Sequence, residues 1–162
     1  IQQTAKARYM GVLVVFLLLQ AACNEHNFFE KDIEIKNAQW AYTDTLNYQF
    51  SITDTLETYN LYVDLSYADS FANQNVYIKL HTQFPDGKRL SKQKSFDLFD
   101  AQGQPLGKCS GHQCRLRTLL QEKAFFNSVG TYTITLEQYS REAALSGITS
   151  VGIMIEATGV RR

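Results

Sequence analysis

The sequence predicts an all-β domain, an antiparallel two-sheet β-sandwich of about eight strands, set behind a cleaved signal peptide. Three observations predict it. Segment after segment alternates apolar and polar residues with a period of two, the mark of half-buried strands. Aromatic residues are abundant (ten Phe, nine Tyr, one Trp) and there are two Pro, a composition suited to pleated surfaces. The chain opens with basic residues and a short apolar run that stops at a cysteine. A closed barrel is the alternative arrangement of the same strands.

At the amino terminus, Lys6 and Arg8 precede the apolar run from Gly11 to Leu19, and Gln20, Ala21, Ala22 and Cys23 follow. The run is too short to span a bilayer, which takes roughly 20 residues. Residues 1–22 therefore read as a signal peptide. Two alanines directly before Cys23 resemble a bacterial lipobox, which would put a diacylglycerol on the Cys23 thiol and an acyl chain on the new amine. Each buried CH₂ of such chains is worth about 0.8 kcal/mol. Gln20 departs from the pattern, which favours Leu or a similar aliphatic there; Leu19 stands one place further out. The alternative is an ordinary secretory cut after Ala22, leaving Cys23 free or disulfide-bonded.

Residues 23–36 read as the lipidated terminus, a tether and a first strand containing Ile33 and Ile35. Residues 37–157 make the sandwich. Trp40 and Tyr42 alternate with Gln39 and Ala41, and Tyr48, Phe50 and Ile52 share one face of the next strand. Tyr59, Leu61, Val63, Leu65 and Tyr67 share a face, as do Val76, Ile78, Leu80 and Phe84. Pro85-Asp86-Gly87-Lys88 is a hairpin turn, because Pro presets φ and Gly supplies φ > 0. Arg89 to Phe99 is the return strand. Asp100 to Lys108 is a loop by its Gly and Pro content. Leu116, Leu119 and Leu120 have helical spacing, so Cys114 to Phe126 allows one short helix. Tyr132, Ile134 and Leu136 alternate with threonines in a strong strand. After a polar loop, Ser140 to Gly147, comes the last strand, Ile148 to Glu156. Residues 158–162 read as a frayed tail.

Roughly 140 residues remain after the signal peptide, enough for a self-sufficient core. They carry 14 basic and 16 acidic side chains and no long Lys/Arg run, which gives no reason to expect nucleic-acid binding. The segment Cys109-Ser110-Gly111-His112-Gln113-Cys114 is the one place where reactive types gather. A disulfide between Cys109 and Cys114 suits an exported protein. Free thiols and a metal site are the other readings, but closed zinc sites take four ligands, and His26 and His81 lie on separate segments. A cysteine nucleophile would need a base and an orienting group that the sequence does not supply. Asp54, Glu57, Asp64, Asp69, Asp97 and Asp100 are scattered, which suits a solvated surface. No catalytic residues, cofactor, metal or small-molecule substrate are expected. Tyr62, Tyr77 and Tyr139 fall on outward positions, as contact residues or cross-strand packing.

Several segments in series resemble a known family. They are the lipobox-type start, Trp40 with Asp44, the Tyr48/Phe50/Ile52 strand, Tyr59-Asn60-Leu61-Tyr62-Val63, and Phe96-Asp97-Leu98-Phe99-Asp100 through Gly103 and Pro105-Leu106-Gly107. Gly130-Thr131-Tyr132, Glu137-Gln138-Tyr139, Leu145-Ser146-Gly147-Ile148 and Ser150-Val151-Gly152-Ile153 close the series. In order and spacing these resemble the gliding-motility lipoprotein family GldH of the Bacteroidetes. Ser140-Arg141 stands where that family is expected to show Met-Arg. The resemblance implies a non-enzymatic lipoprotein of the cell envelope, on the periplasmic face or outer membrane. It implies association with gliding motility and type IX secretion, and other envelope proteins as partners. A surface lipoprotein that binds glycans is the alternative function, and a secreted hydrolase a weaker third.

Overall fold

Each alternating segment becomes a strand, and the strands pair antiparallel throughout. The computed structural model describes residues 27–162; the signal segment and Cys23 lie outside them. In chain order the strands are β1 (Asn27–Glu34), β2 (Gln39–Ala41), β3 (Leu46–Ile52), β4 (Glu57–Ala68), β5 (Asn75–Gln83), β6 (Arg89–Asp97), β7 (Lys108–Ser110), β8 (Gln113–Ala124), β9 (Gly130–Gln138), β10 (Ala144–Ser146) and β11 (Ile148–Arg161). One sheet has the order β1-β11-β4-β8-β7 and the other β3-β9-β5-β6, while β10 and β2 form a small ribbon. This is the all-β antiparallel sandwich that the alternation predicts, with eight long strands and three of three residues.

The core lies between the two sheets. Tyr59, Leu61, Val63, Leu65 and Tyr67 face inward from β4, against Tyr48, Phe50 and Ile52 of β3 and Tyr132, Ile134 and Leu136 of β9. A buried phenol must find an acceptor. The Tyr48 hydroxyl crosses between sheets to donate to the Val151 carbonyl (2.7 Å), and Tyr67 donates to Leu98 (2.8 Å). Phe50 stacks on Tyr132 and meets Phe126 edge-on, so aromatic contacts weld one end of the sandwich.

Three expectations need correction. The stretch from Cys114 to Phe126 is not a short helix; it is most of β8, paired with β4 from Ala68↔Gln113 to Tyr59↔Ala124. Register shifts near Leu61 put Tyr62 opposite Leu119 but Leu61 opposite Gln121, and the extra residue brings Leu119 and Leu120 together. That doublet imitates helical spacing. Residues 158–162 are not a frayed tail. β11 continues to Arg161, past an irregularity at Gly159 (φ +71°), because Thr58 donates to the Val160 carbonyl (2.6 Å) and Arg161 pairs with Asp54 (2.8 Å). The polar loop from Ser140 to Gly147 contains β10, held by its pairing with the buried Trp40 strand.

The connections sort to two ends. At one end lie the start of β1, the turns 53–56, 84–88 and 125–129, and the last residues of β11. At the other lie residues 35–45, the loops 69–74, 98–107 and 139–147, and the β7–β8 hairpin.

Candidate functional site

Of the residues singled out from sequence, Cys23 lies outside the described residues. Cys109 and Cys114 face each other across the β7–β8 hairpin as a disulfide, with Cα atoms 3.9 Å apart. Gly111, at the hairpin tip, has φ +60°, a conformation that favours glycine. The hairpin lies at the end of the molecule remote from β1's start. His112 is exposed, and its Nδ1 meets Asp69 at 2.9 Å. The hydrogen bond to Asp69, reinforced by its charge, raises the imidazole above its ordinary pKa. Among the described residues, no three His, Cys, Asp or Glu side chains gather as metal ligands.

The outer face of the five-stranded sheet carries a charged row. Asp32 on β1, Gly152 on β11, Asp64 on β4 and Arg117 on β8 stand side by side in register. Arg117 grips Asp64 through Nε (2.7 Å) and Nη2 (2.6 Å), and also reaches Glu30 (2.9 Å). Arg115 bridges Asp64 (2.8 Å) and Asp32 (2.9 Å). Gly152 makes the row continuous, because a Cβ there would overlap the Asp32 carboxylate. Asp64 is 2% exposed, so it is not the solvated acid expected from its place on a polar strand face. Burial alone would raise its carboxyl. The hydrogen bonds from Arg117 and Arg115 outweigh that and hold it below the ordinary carboxylate range. The outward Arg-x-Arg pair was the available signal, but strand pairing was needed to bring it to Asp64.

A second feature is an apolar cleft of about 320 Å³ between β6 and β8, walled by Leu61, Leu80, Leu90, Leu120 and Phe126. Lys92 and Lys94 line it from β6, and the Lys94 ammonium donates to the Leu119 carbonyl (3.4 Å). Lysines directed inward from an edge strand discourage addition of a further strand.

The third feature is aromatic. Tyr77 and Tyr139 are 48% and 51% exposed, and the Tyr139 N–H donates to the Tyr77 carbonyl (2.7 Å). Both rings border an open depression with Asn73, Asn75, Arg141 and Glu142. Lys79 lies 5.5 Å from the Tyr139 ring centre. Tyr42, also exposed, donates its hydroxyl to the Ser140 carbonyl and so joins the patch. Sequence periodicity put Tyr77 and Tyr139 outward but could not show that Tyr42 reaches Ser140 beside them. Tyr62, the third outward tyrosine, is half-buried, and its hydroxyl reaches Glu156 (3.3 Å).

Fold and surfaces together define a small antiparallel β-sandwich with ordered charged and aromatic outer faces; none of the helices among the described residues is long and apolar enough to cross a membrane. The family profile described as GldH lipoprotein matches residues 27–155, and the chain belongs to that family. The gliding motility lipoprotein GldH homolog of Christiangramia forsetii is 22% identical, over 90% of this chain and 93% of that protein. The gliding motility lipoprotein GldH of Flavobacterium johnsoniae is 23% identical, over 90% and 94%. A carbohydrate-binding module specific for non-crystalline cellulose superposes over 82% of this chain and 72% of its own, with 8% identity and a TM-score of 0.41. A likeness that distant carries no functional weight.

Proposed function

We propose that this protein is a lipid-anchored envelope component of the gliding-motility and type IX secretion apparatus, working through protein contacts and not through catalysis. Acylation of Cys23 holds it on the membrane. The observation that carries the contact reading is the patch of Tyr42, Tyr77 and Tyr139, which sits at the end of the sandwich remote from the amino terminus. Tyrosines give large, stiff contact area with a polar tip and are enriched at protein interfaces. Their rigid backing by the β5–β9 pairing limits the entropy lost on docking. The pairing of Cys109 with Cys114 and of His112 with Asp69 supports a structural role for this hairpin. Family membership supports the envelope setting.

The test is affinity capture from membranes with a tagged chain. Envelope partners are expected to co-purify, and Tyr77→Ala with Tyr139→Ala should cut their recovery by roughly tenfold or more, as loss of two interface anchors does. Unchanged recovery with a folded variant contradicts the assignment of the patch.

A second reading is favoured by the polar lining of the same depression. Tyrosine rings beside Asn73, Asn75, Arg141 and Glu142 suit a sugar as well as a protein. A glycan array separates the two, because only a glycan binder retains sugar without the membrane partners.

A further inference from the structure

We propose that the end of the sandwich carrying the amino terminus is a membrane-contact face, with Leu56, Phe125, Val129 and Val160 seated in the bilayer interface. The inference rests on acylation of Cys23 and adds to it an orientation and a second point of attachment.

Exposed apolar side chains gather at this end. Phe28 from β1, Leu56 from the 53–56 turn, Phe125 and Val129 from the 125–129 turn, and Val160 near the end of β11 are all solvent-exposed; Phe125 reaches 51% and Val129 60%. The opposite end exposes tyrosines and a single large aliphatic side chain, Leu106. Water-facing turns ordinarily carry polar residues, so five apolar side chains on one end call for a covering surface.

Arg162 ties the turns that present Leu56 and Phe125 to each other. Arg162 donates its backbone N–H to the Leu56 carbonyl (2.9 Å) and its guanidinium to Asn127 (3.2 Å), and it lies over the Phe125 ring at 4.7 Å. Asp54 accepts the Leu56 N–H (2.9 Å) and holds Arg161 (2.8 Å), which fixes the turn that presents Leu56. Around the patch, Arg161 with Asp54 and Lys88 with Asp86 cancel as pairs. Arg89, Lys123 and Arg162 stand against Glu57, Glu122 and Glu156, a balanced rim that meets phosphate headgroups without net repulsion.

Chain length commits the surface to the bilayer. Four residue steps separate Cys23 from Asn27, a reach of at most roughly 14 Å. β4 alone, with 12 residues, extends roughly 40 Å. An acyl chain on Cys23 can therefore bring only this end to the membrane, and the exposed residues stand where the headgroup boundary would be. The acyl chains fix which end meets the bilayer, and an apolar patch seated in the interface fixes how the domain is oriented against it.

The experiment uses the native lipid-modified chain, extracted from membranes and reconstituted into vesicles of phosphatidylethanolamine and phosphatidylglycerol doped with brominated phosphatidylcholine. Phe125→Trp and Val129→Trp place reporters on the face, and Leu106→Trp places one at the opposite end; the buried Trp40 is common to all. The expected result is blue-shifted emission at 125 and 129, quenched roughly twofold or more by bromine, with Leu106→Trp unaffected. Protein that floats with the vesicles but shows no quenching at 125 or 129 overturns the proposal, and would leave that end to a protein partner. A chain that does not float refutes the anchor itself, a separate failure read in the same flotation step.

Discussion

Asp64 has both carboxylate oxygens taken by guanidinium hydrogens from Arg115 and Arg117, in a position from which water is almost excluded. Its folded pKa lies below its unfolded value, so the ionised form stabilises the native state. That contribution is complete above about pH 4, the unfolded carboxylate range, and is lost as pH falls through the lower folded value. Thermal melts of the native sequence should therefore fall in Tm as the pH drops below about 4. Asp64→Asn should flatten that slope and lower stability near neutral pH by about 1–3 kcal/mol. Full burial of an ion pair would imply more, but both guanidinium groups are part-exposed and can rehydrate. An unchanged acid slope in Asp64→Asn would show that other carboxylates dominate, with Asp54 and Asp86 the first to examine, since hydrogen bonds from backbone N–H groups lower both.

Strand alternation made most elements legible in advance. The inward sets Tyr48/Phe50/Ile52, Tyr59 through Tyr67 and Tyr132/Ile134/Leu136 are the core itself, because one buried face imposes a period of two. The Pro85–Lys88 turn was legible from its chemistry, and Gly87 adopts the φ of +84° that it requires. β8 was not legible. Its bulges, one of them at Lys123 with φ +49° and its N–H on the Asn60 side chain (3.0 Å), break the alternation that a single sequence displays. The end of β11 was missed for a different reason. Its partners Thr58, Asp54 and Leu56 lie about a hundred residues away, and nothing local marks them. The charged row was hidden likewise, because Asp32, Asp64 and Arg117 meet only through sheet order. One consequence belongs to β11. In hydrogen exchange, the Arg162 amide, bonded to Leu56, and the Val160 amide, bonded to Thr158, should be protected well beyond a frayed terminus. Exchange at the unstructured rate would return this segment to a tail.

At the scale of the molecule, the two ends differ in surface chemistry. One carries the start of β1 and the apolar turns; the other carries the tyrosine patch and the Cys109–Cys114 hairpin. A scaffold roughly 40 Å long keeps them apart. Among the described residues, stability is supplied by the core and by cross-sheet bonds such as Tyr48 to Val151. Cys23→Ala should therefore free the domain from membranes while leaving its melting curve intact. The most direct test of the whole account is mass spectrometry of the mature amino terminus, taken from protein recovered in the membrane fraction. The expected result is a first residue Cys23 bearing a thioether-linked diacylglycerol. An unmodified Cys23, or a native chain found in the soluble fraction, would contradict it.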